Sequence, residues 1–264
     1  MKIFVCGDIH AYFGRLNDML NRKNPDIILQ CGDYGWWPHY HDTYDTLLHG
    51  KKFDQHGVKN PNTKIFWCGG NHENWDDLDK YDDMTEVSPN VFYMPIGTTL
   101  ELPDGRTVMF VGKAESTDKQ WRTEGVSWWR QEVFSYKDFD LLPNPKEVKV
   151  DIVISHTVPK TFMKEFSHEF DSMVLQGRIN DPTCEALDRV LEMFKPDLWF
   201  SGHFHNFMWG VYKNTRWFGL ADIPYDKWYL ELDLLPNWGE KKFIDWGTEP
   251  DLPKVVDYEG KDDF

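Results

Sequence analysis

No run of about eighteen apolar residues occurs in the chain, which excludes a membrane-spanning helix. The opening MKIFVCGDIHAYF also lacks the basic region, long apolar stretch and small-residue cleavage site of a secretory leader, so the expectation is a soluble, cytoplasmic protein with no membrane partner. Positive charge is scarce: 29 Lys and Arg face 44 Asp and Glu, a formal net charge of -15. Such a surface repels nucleic acid on average, which disfavours a nucleic-acid partner, although a local groove can be basic on an acidic protein. Cysteine is sparse too. Four residues without a CxxC pair exclude a disulfide framework and a structural zinc knuckle. Cys6, Cys31 and Cys68 each close an apolar run and precede a glycine, which reads as small buried thiols at strand ends. Thirteen Trp residues without a fixed period mark packing rather than a repeat.

What is present is a series of short apolar runs ending in turn residues. Residues 2–6, 26–31, 64–68, 151–155 and 197–201 look like strands buried on both faces. Helical spacing is found at Phe13 to Arg22 and at Thr183 to Phe194, the latter opened by Asp181 as cap and Pro182 at the first helical position. Strands alternating with helices predict an α/β sheet. After Gly202 the pattern changes. Phe207 to Tyr212 and Arg216 to Leu220 flank Lys213-Asn214-Thr215 as a hairpin, and Trp228 to Leu234 is expected to pair beside it, giving an α/β front and a β-rich back. The expected organisation is one domain over 1–236 with an acidic tail over 237–264.

The strand ends carry polar residues that a core would not select: Gly7-Asp8-Ile9-His10, Gly32-Asp33, Gly70-Asn71-His72-Glu73, Ser155-His156 and Gly202-His203-Phe204-His205. Ligands of open α/β sheets bind outside the carboxyl ends of strands, so the five clusters are expected on one edge. Asp8/His10 and His203/His205 are each two residues apart and can emerge on one side of an extended segment to grip a cation. Asp33 has two oxygens with which to bridge metals, while Asn71 and His156 can lend an amide oxygen and an imidazole.

The order Gly-Asp-x-His, Gly-Asp, Gly-Asn-His-Glu, His, Gly-His-x-His resembles the calcineurin-like metallophosphoesterase superfamily from residue 7 to residue 205. The resemblance implies a four-layer α/β/β/α sandwich and hydrolysis of a phosphate ester at two divalent cations, manganese foremost, with iron, zinc, nickel or magnesium as alternatives. It assigns Asp8, His10, Asp33 and His205 to one ion, and Asp33, Asn71, His156 and His203 to the other. It makes His72 catalytic, over the phosphoryl group, with attack by a hydroxide bridging the ions. Glu73 is expected to orient its turn.

One branch of that superfamily, the phosphoprotein phosphatases, follows the second motif with Val-Asp-Arg-Gly. Here Trp36 and Trp37 stand in place of its aspartate and arginine, so His72 must find another partner, and a small or nucleotide-like ester or a diester is favoured over a phosphoprotein. A Ser/Thr phosphatase, a nuclease and a metal-containing binding scaffold are the alternatives. The segment 113–131 joins Lys119, Arg122 and Arg130 with three tryptophans and is expected either to grip substrate over the metals or to form a surface loop with paired charges. His39 and His41 are expected at the rim, without a further metal.

Overall fold

A computed structural model describes residues 1–36, 58, 62–165, 180–223 and 225–232. The acidic tail, Trp37, His39 and His41 lie outside these residues.

All five expected strands form, as β1 (Ile3–Cys6), β2 (Ile27–Gln30), β3 (Lys64–Trp67), β8 (Ile152–Ser155) and β9 (Leu198–Ser201). So do the two helices, α1 (Phe13–Lys23) and α4 (Pro182–Phe194). Asp181 caps α4 by accepting from Thr183 N at 2.7 Å. The shorter α2 (Trp75–Leu78) and α3 (Lys160–Glu165) lie between them in the chain. Four strands have no counterpart in the apolar runs: β4 (Thr85–Ser88), β5 (Val91–Tyr93), β6 (Thr99–Glu101) and β7 (Thr107–Gly112). The expected hairpin forms as β10 (Met208–Tyr212) and β11 (Thr215–Gly219), and β12 (Tyr229–Glu231) follows.

The strands make two six-stranded sheets, ordered β12-β1-β2-β3-β5-β4 and β10-β11-β9-β8-β7-β6. Each has a parallel centre and antiparallel edges. This corrects the expectation of an α/β front and a β-rich back. The hairpin extends a parallel sheet, since β11 runs parallel to β9, and β12 pairs with β1 in the opposite sheet instead of lying beside the hairpin. Tyr229 stacks on Phe4 across that pairing, at 5.4 Å between ring centroids.

Alternation along the strands sorts side chains into three apolar layers. Ile3, Val5, Leu29, Phe110, Ile152, Ile154, Phe200 and Phe218 fill the space between the sheets. Phe4, Cys6, Ile28, Ile65 and Trp67 face outward onto Leu16 and Leu20 of α1, and Val153, Trp199 and Trp217 face Leu187 and Val190 of α4 on the other side. Helix, sheet, sheet and helix are thus stacked in four layers, as the resemblance implies. With both faces of each central strand buried, the strand sequences read as continuous apolar runs. All four cysteines are free and buried, and burial pushes their thiols up.

Candidate metal centre

Strands β1, β2, β3, β8 and β9 all deliver their polar termini to one place. Donor atoms of Asp8, His10, Asp33 and His205 lie within 4.8 Å of one another. His205 Nε2 is 3.0 Å from Asp8 Oδ2 and 3.2 Å from His10 Nε2. Asp33 joins this group to a second one: its Oδ2 is 3.8 Å from His10 Nε2 and 3.2 Å from His156 Nε2, and the latter lies 2.9 Å from Asn71 Oδ1. His156 Nδ1 is 2.8 Å from the Cys31 carbonyl, which directs Nε2 into the site. The His203 ring packs 4.9 Å from that of His156, and its main-chain N–H donates to both oxygens of Asp8 at 3.0 Å.

The backbone gives up conformational comfort to hold these side chains. His10, Asp33, His203 and His205 all have φ between 46° and 69°, in the left-handed region. Each such residue costs about 1–2 kcal/mol, a penalty that only a surrounding network can sustain. Main-chain donors supply part of it: Ile9 and His10 bond to the Asp33 carbonyl, and His72 N donates to Asp33 Oδ1 at 2.8 Å. Two glycines make room. A Cβ at Gly70 would strike Asp33 Oδ1, and one at Gly202 would strike Asp8 Oδ1.

Electrostatics follow from that crowding. Burial works against charge on Asp33, but His156, His72 and His10 outweigh it and hold the carboxyl well below its usual range. Burial likewise works against a charged His156, yet Asp33 and Asp8 raise it to about 9. Carboxylates and imidazoles drawn together at these distances fit divalent cations, whose charge would replace the protons that the histidines otherwise carry. The buried cradles at Gly70 and Gly202, which leave the carboxylate oxygens unobstructed, agree with that fit.

His72 stands partly buried at the rim, its ring 4.9 Å from that of His10. The partner it lacks at Trp36 is supplied by Arg122, whose Nη2 lies 2.9 Å from His72 Nε2. Trp36 is instead buried in the outer layer beside Trp67. Of Lys119, Arg122 and Arg130 in the 113–131 segment, the structure brings only Arg122 beside His72. Lys119 is paired with Glu115, and Arg130 is paired with Glu124 at the surface. The expected surface loop with paired charges is thus seen at Lys119 and Arg130. Trp129 anchors it in the core, while Trp121 is 79% exposed.

Glu73 is fully buried and accepts from Tyr34 N at 2.7 Å and Gly35 N at 3.3 Å, tying the third motif to the second. Burial, then the Asp33 charge, pushes its carboxyl well above the usual range. Asp222, which the sequence reading did not single out, is buried with Oδ2 3.7 Å from His205 Nδ1. Burial raises it to about 6, offset by His205. Its place just beyond the end of β11, a strand parallel to β9, was the signal that could have found it.

The calcineurin-like phosphoesterase family matches residues 1–207, and the chain belongs to that family. It is accordingly a phosphoester hydrolase by class. A lariat debranching enzyme of Schizosaccharomyces pombe is 25% identical over 226 residues, 78% of this chain and 48% of that protein. One from Gallus gallus is 23% identical over 99% of this chain and 53% of its own length. The chain thus spans about half the length of the curated relatives it matches. A solved structure at 13% identity overlays 88% of this chain and 95% of its own with a TM-score of 0.52, a likeness of fold. Among the described residues, no helix is long and apolar enough to cross a membrane.

Proposed function

We propose that the chain hydrolyses a phosphodiester, or another ester of a small nucleotide-like phosphate, at two divalent cations, with manganese the favoured ion. The observation that carries this reading is Asp33, whose Oδ2 stands between the Asp8–His10–His205 group and the Asn71–His156 pair. A carboxylate shared in this way suits two adjacent cations better than one. Asp8, His10, Asp33 and His205 would hold the first, and Asp33, Asn71, His156 and His203 the second. When bound, the ions would supply Lewis acidity toward the phosphoryl oxygens and an activated water.

The chain's own residues do the rest. His72 sits beside the centre, where it meets the phosphoryl group and the leaving oxygen. Arg122 reaches the same point and offers the guanidinium that Trp37 does not, so it takes the substrate-gripping role in preference to Lys119 and Arg130. The exposed indole of Trp121 next to it suits a flat group such as a base. The activity for which the curated relatives are named favours a diester.

A second reading, a nuclease acting on branched or single-stranded nucleic acid, is favoured by those same relatives and opposed by the net charge of -15. The two readings part on turnover of a dinucleotide against an oligonucleotide at rising salt. Loss of oligonucleotide turnover with salt, while the dinucleotide rate holds, would support the nuclease. Preference for the dinucleotide at all salt concentrations would support the small substrate.

A further inference from the structure

Ser116 is buried, 1% exposed, just beyond β7, and its hydroxyl meets three groups. Asn71 donates from Nδ2 to Ser116 Oγ at 3.3 Å, and Arg122 donates from Nη1 to the same oxygen at 3.3 Å. The hydroxyl in turn donates to the Asn71 main-chain oxygen at 3.5 Å. The Glu132 carboxyl is also within reach of the hydroxyl. A hydroxyl has one donor and two acceptor positions, and Asn71 Nδ2 and Arg122 Nη1 take both acceptor positions.

The contact to Asn71 matters because a carboxamide has two ends of nearly equal shape and opposite character. A cation takes the oxygen end, and only the surrounding partners decide which end faces it. With Nδ2 turned to Ser116, Oδ1 is turned toward His156 Nε2, where the two donors converge at 2.9 Å. We propose that Ser116 is a positioning residue whose hydroxyl fixes Asn71 oxygen-first for the second cation and moors Arg122 beside His72. This inference rests on the two-cation reading above.

The moorings of the segment make the hydroxyl separable from its fold. Ser116 N donates to Glu132 Oε1 at 2.7 Å, Ala114 N to the Glu132 carbonyl at 3.0 Å, and Glu115 N to Asp181 Oδ2 at 2.9 Å. All three use main-chain donors, so Ser116→Ala removes Oγ and leaves them in place.

The test is calorimetric titration of metal-stripped full-length protein with Mn²⁺, with thermal unfolding of each apo-protein alongside. Wild-type protein should take up two ions. Ser116→Ala should keep one affinity and weaken the other about 10–100-fold, the usual effect of losing a partner of a metal ligand. In an Asn71→Asp background, where both ends of the side chain are oxygen, the same Ser116→Ala change should cost less than threefold. Two ions bound by wild type with both affinities unchanged in Ser116→Ala overturns the role of Ser116 alone. So does an equal loss in both backgrounds with a lowered unfolding temperature, which marks a merely structural residue. Wild-type protein that binds fewer than two ions overturns the two-cation reading and this inference with it.

Discussion

Arg122 donates from Nη2 to His72 Nε2 across 2.9 Å. A guanidinium has no acceptor, so in this hydrogen bond the imidazole nitrogen is the acceptor. Asp118 holds Arg122 from the other side, with Oδ1 2.8 Å from Nε. Where one branch of the family carries an orienting carboxylate at position 36, His72 here meets an arginine that itself leans on a carboxylate.

Arg122→Ala is expected to lower kcat/KM on the natural ester about 10–100-fold, the value of one or two hydrogen bonds to a charged group, with a rise in KM. Arg130→Ala, whose residue is paired with Glu124 at the surface, should have an effect at least tenfold smaller. Steady-state kinetics on both variants checks the difference, and equal effects would remove the distinction between the two arginines.

Asp33→Asn takes away the charge that His156, His72 and His10 surround. On the two-cation reading its loss should weaken both ions by more than the roughly 10–100-fold that removing a partner of a ligand costs. Metal content after dialysis reads this out, and full retention of both ions would contradict the assignment of Asp33 as the shared ligand.

Glu132 gives a pH dependence of stability. Burial pushes its carboxyl up to about 7, opposed by bonds from Ser116 and Trp129. The folded state therefore holds this proton more tightly than the unfolded state, whose carboxyl has its ordinary value of 4.5. This contribution is fully present below the unfolded value and is lost as pH rises through the folded one, with a slope of at most about 1.4 kcal/mol per pH unit. Glu132→Gln should flatten the fall in stability between these two values, measured by urea unfolding. An unchanged slope would show that Glu132 titrates normally.

Asp181 serves two elements at once, capping α4 through Thr183 N and receiving Glu115 N from the segment beside the site. Asp181→Ala should cost about 1–3 kcal/mol, a lost cap plus a buried donor left without its acceptor. Asp181→Asn, which keeps one oxygen, should recover part of the difference in thermal unfolding.

Five central strands were legible because burial on both faces demands continuous apolar sequence, as in Ile27–Gln30 and Ile152–Ser155, whereas the internal strands β5 and β7 were passed over although β7 is itself an apolar run buried along most of its length. Edge strands are not under that demand. Thr85–Ser88 and Thr99–Glu101 expose much of their length and carry no apolar run. The partner of β12 was misjudged because nearness in sequence favoured the hairpin, whereas pairing with β1 is set by packing 225 residues away, as between Phe4 and Tyr229. At the site, the motif residues announced themselves by type and strand-end position. Nothing in the sequence separated Arg122 from Arg130, and Ser116 and Asp222 belong to no motif. Their roles come from which atoms the fold brings within reach.

The most direct test of the account is turnover by metal-stripped protein of bis(p-nitrophenyl) phosphate and p-nitrophenyl phosphate, with and without Mn²⁺, beside Asp33→Asn and His72→Ala. The account predicts activity that requires added metal, favours the diester and is lost in both variants. Turnover that persists without metal, or survives in Asp33→Asn, would contradict it.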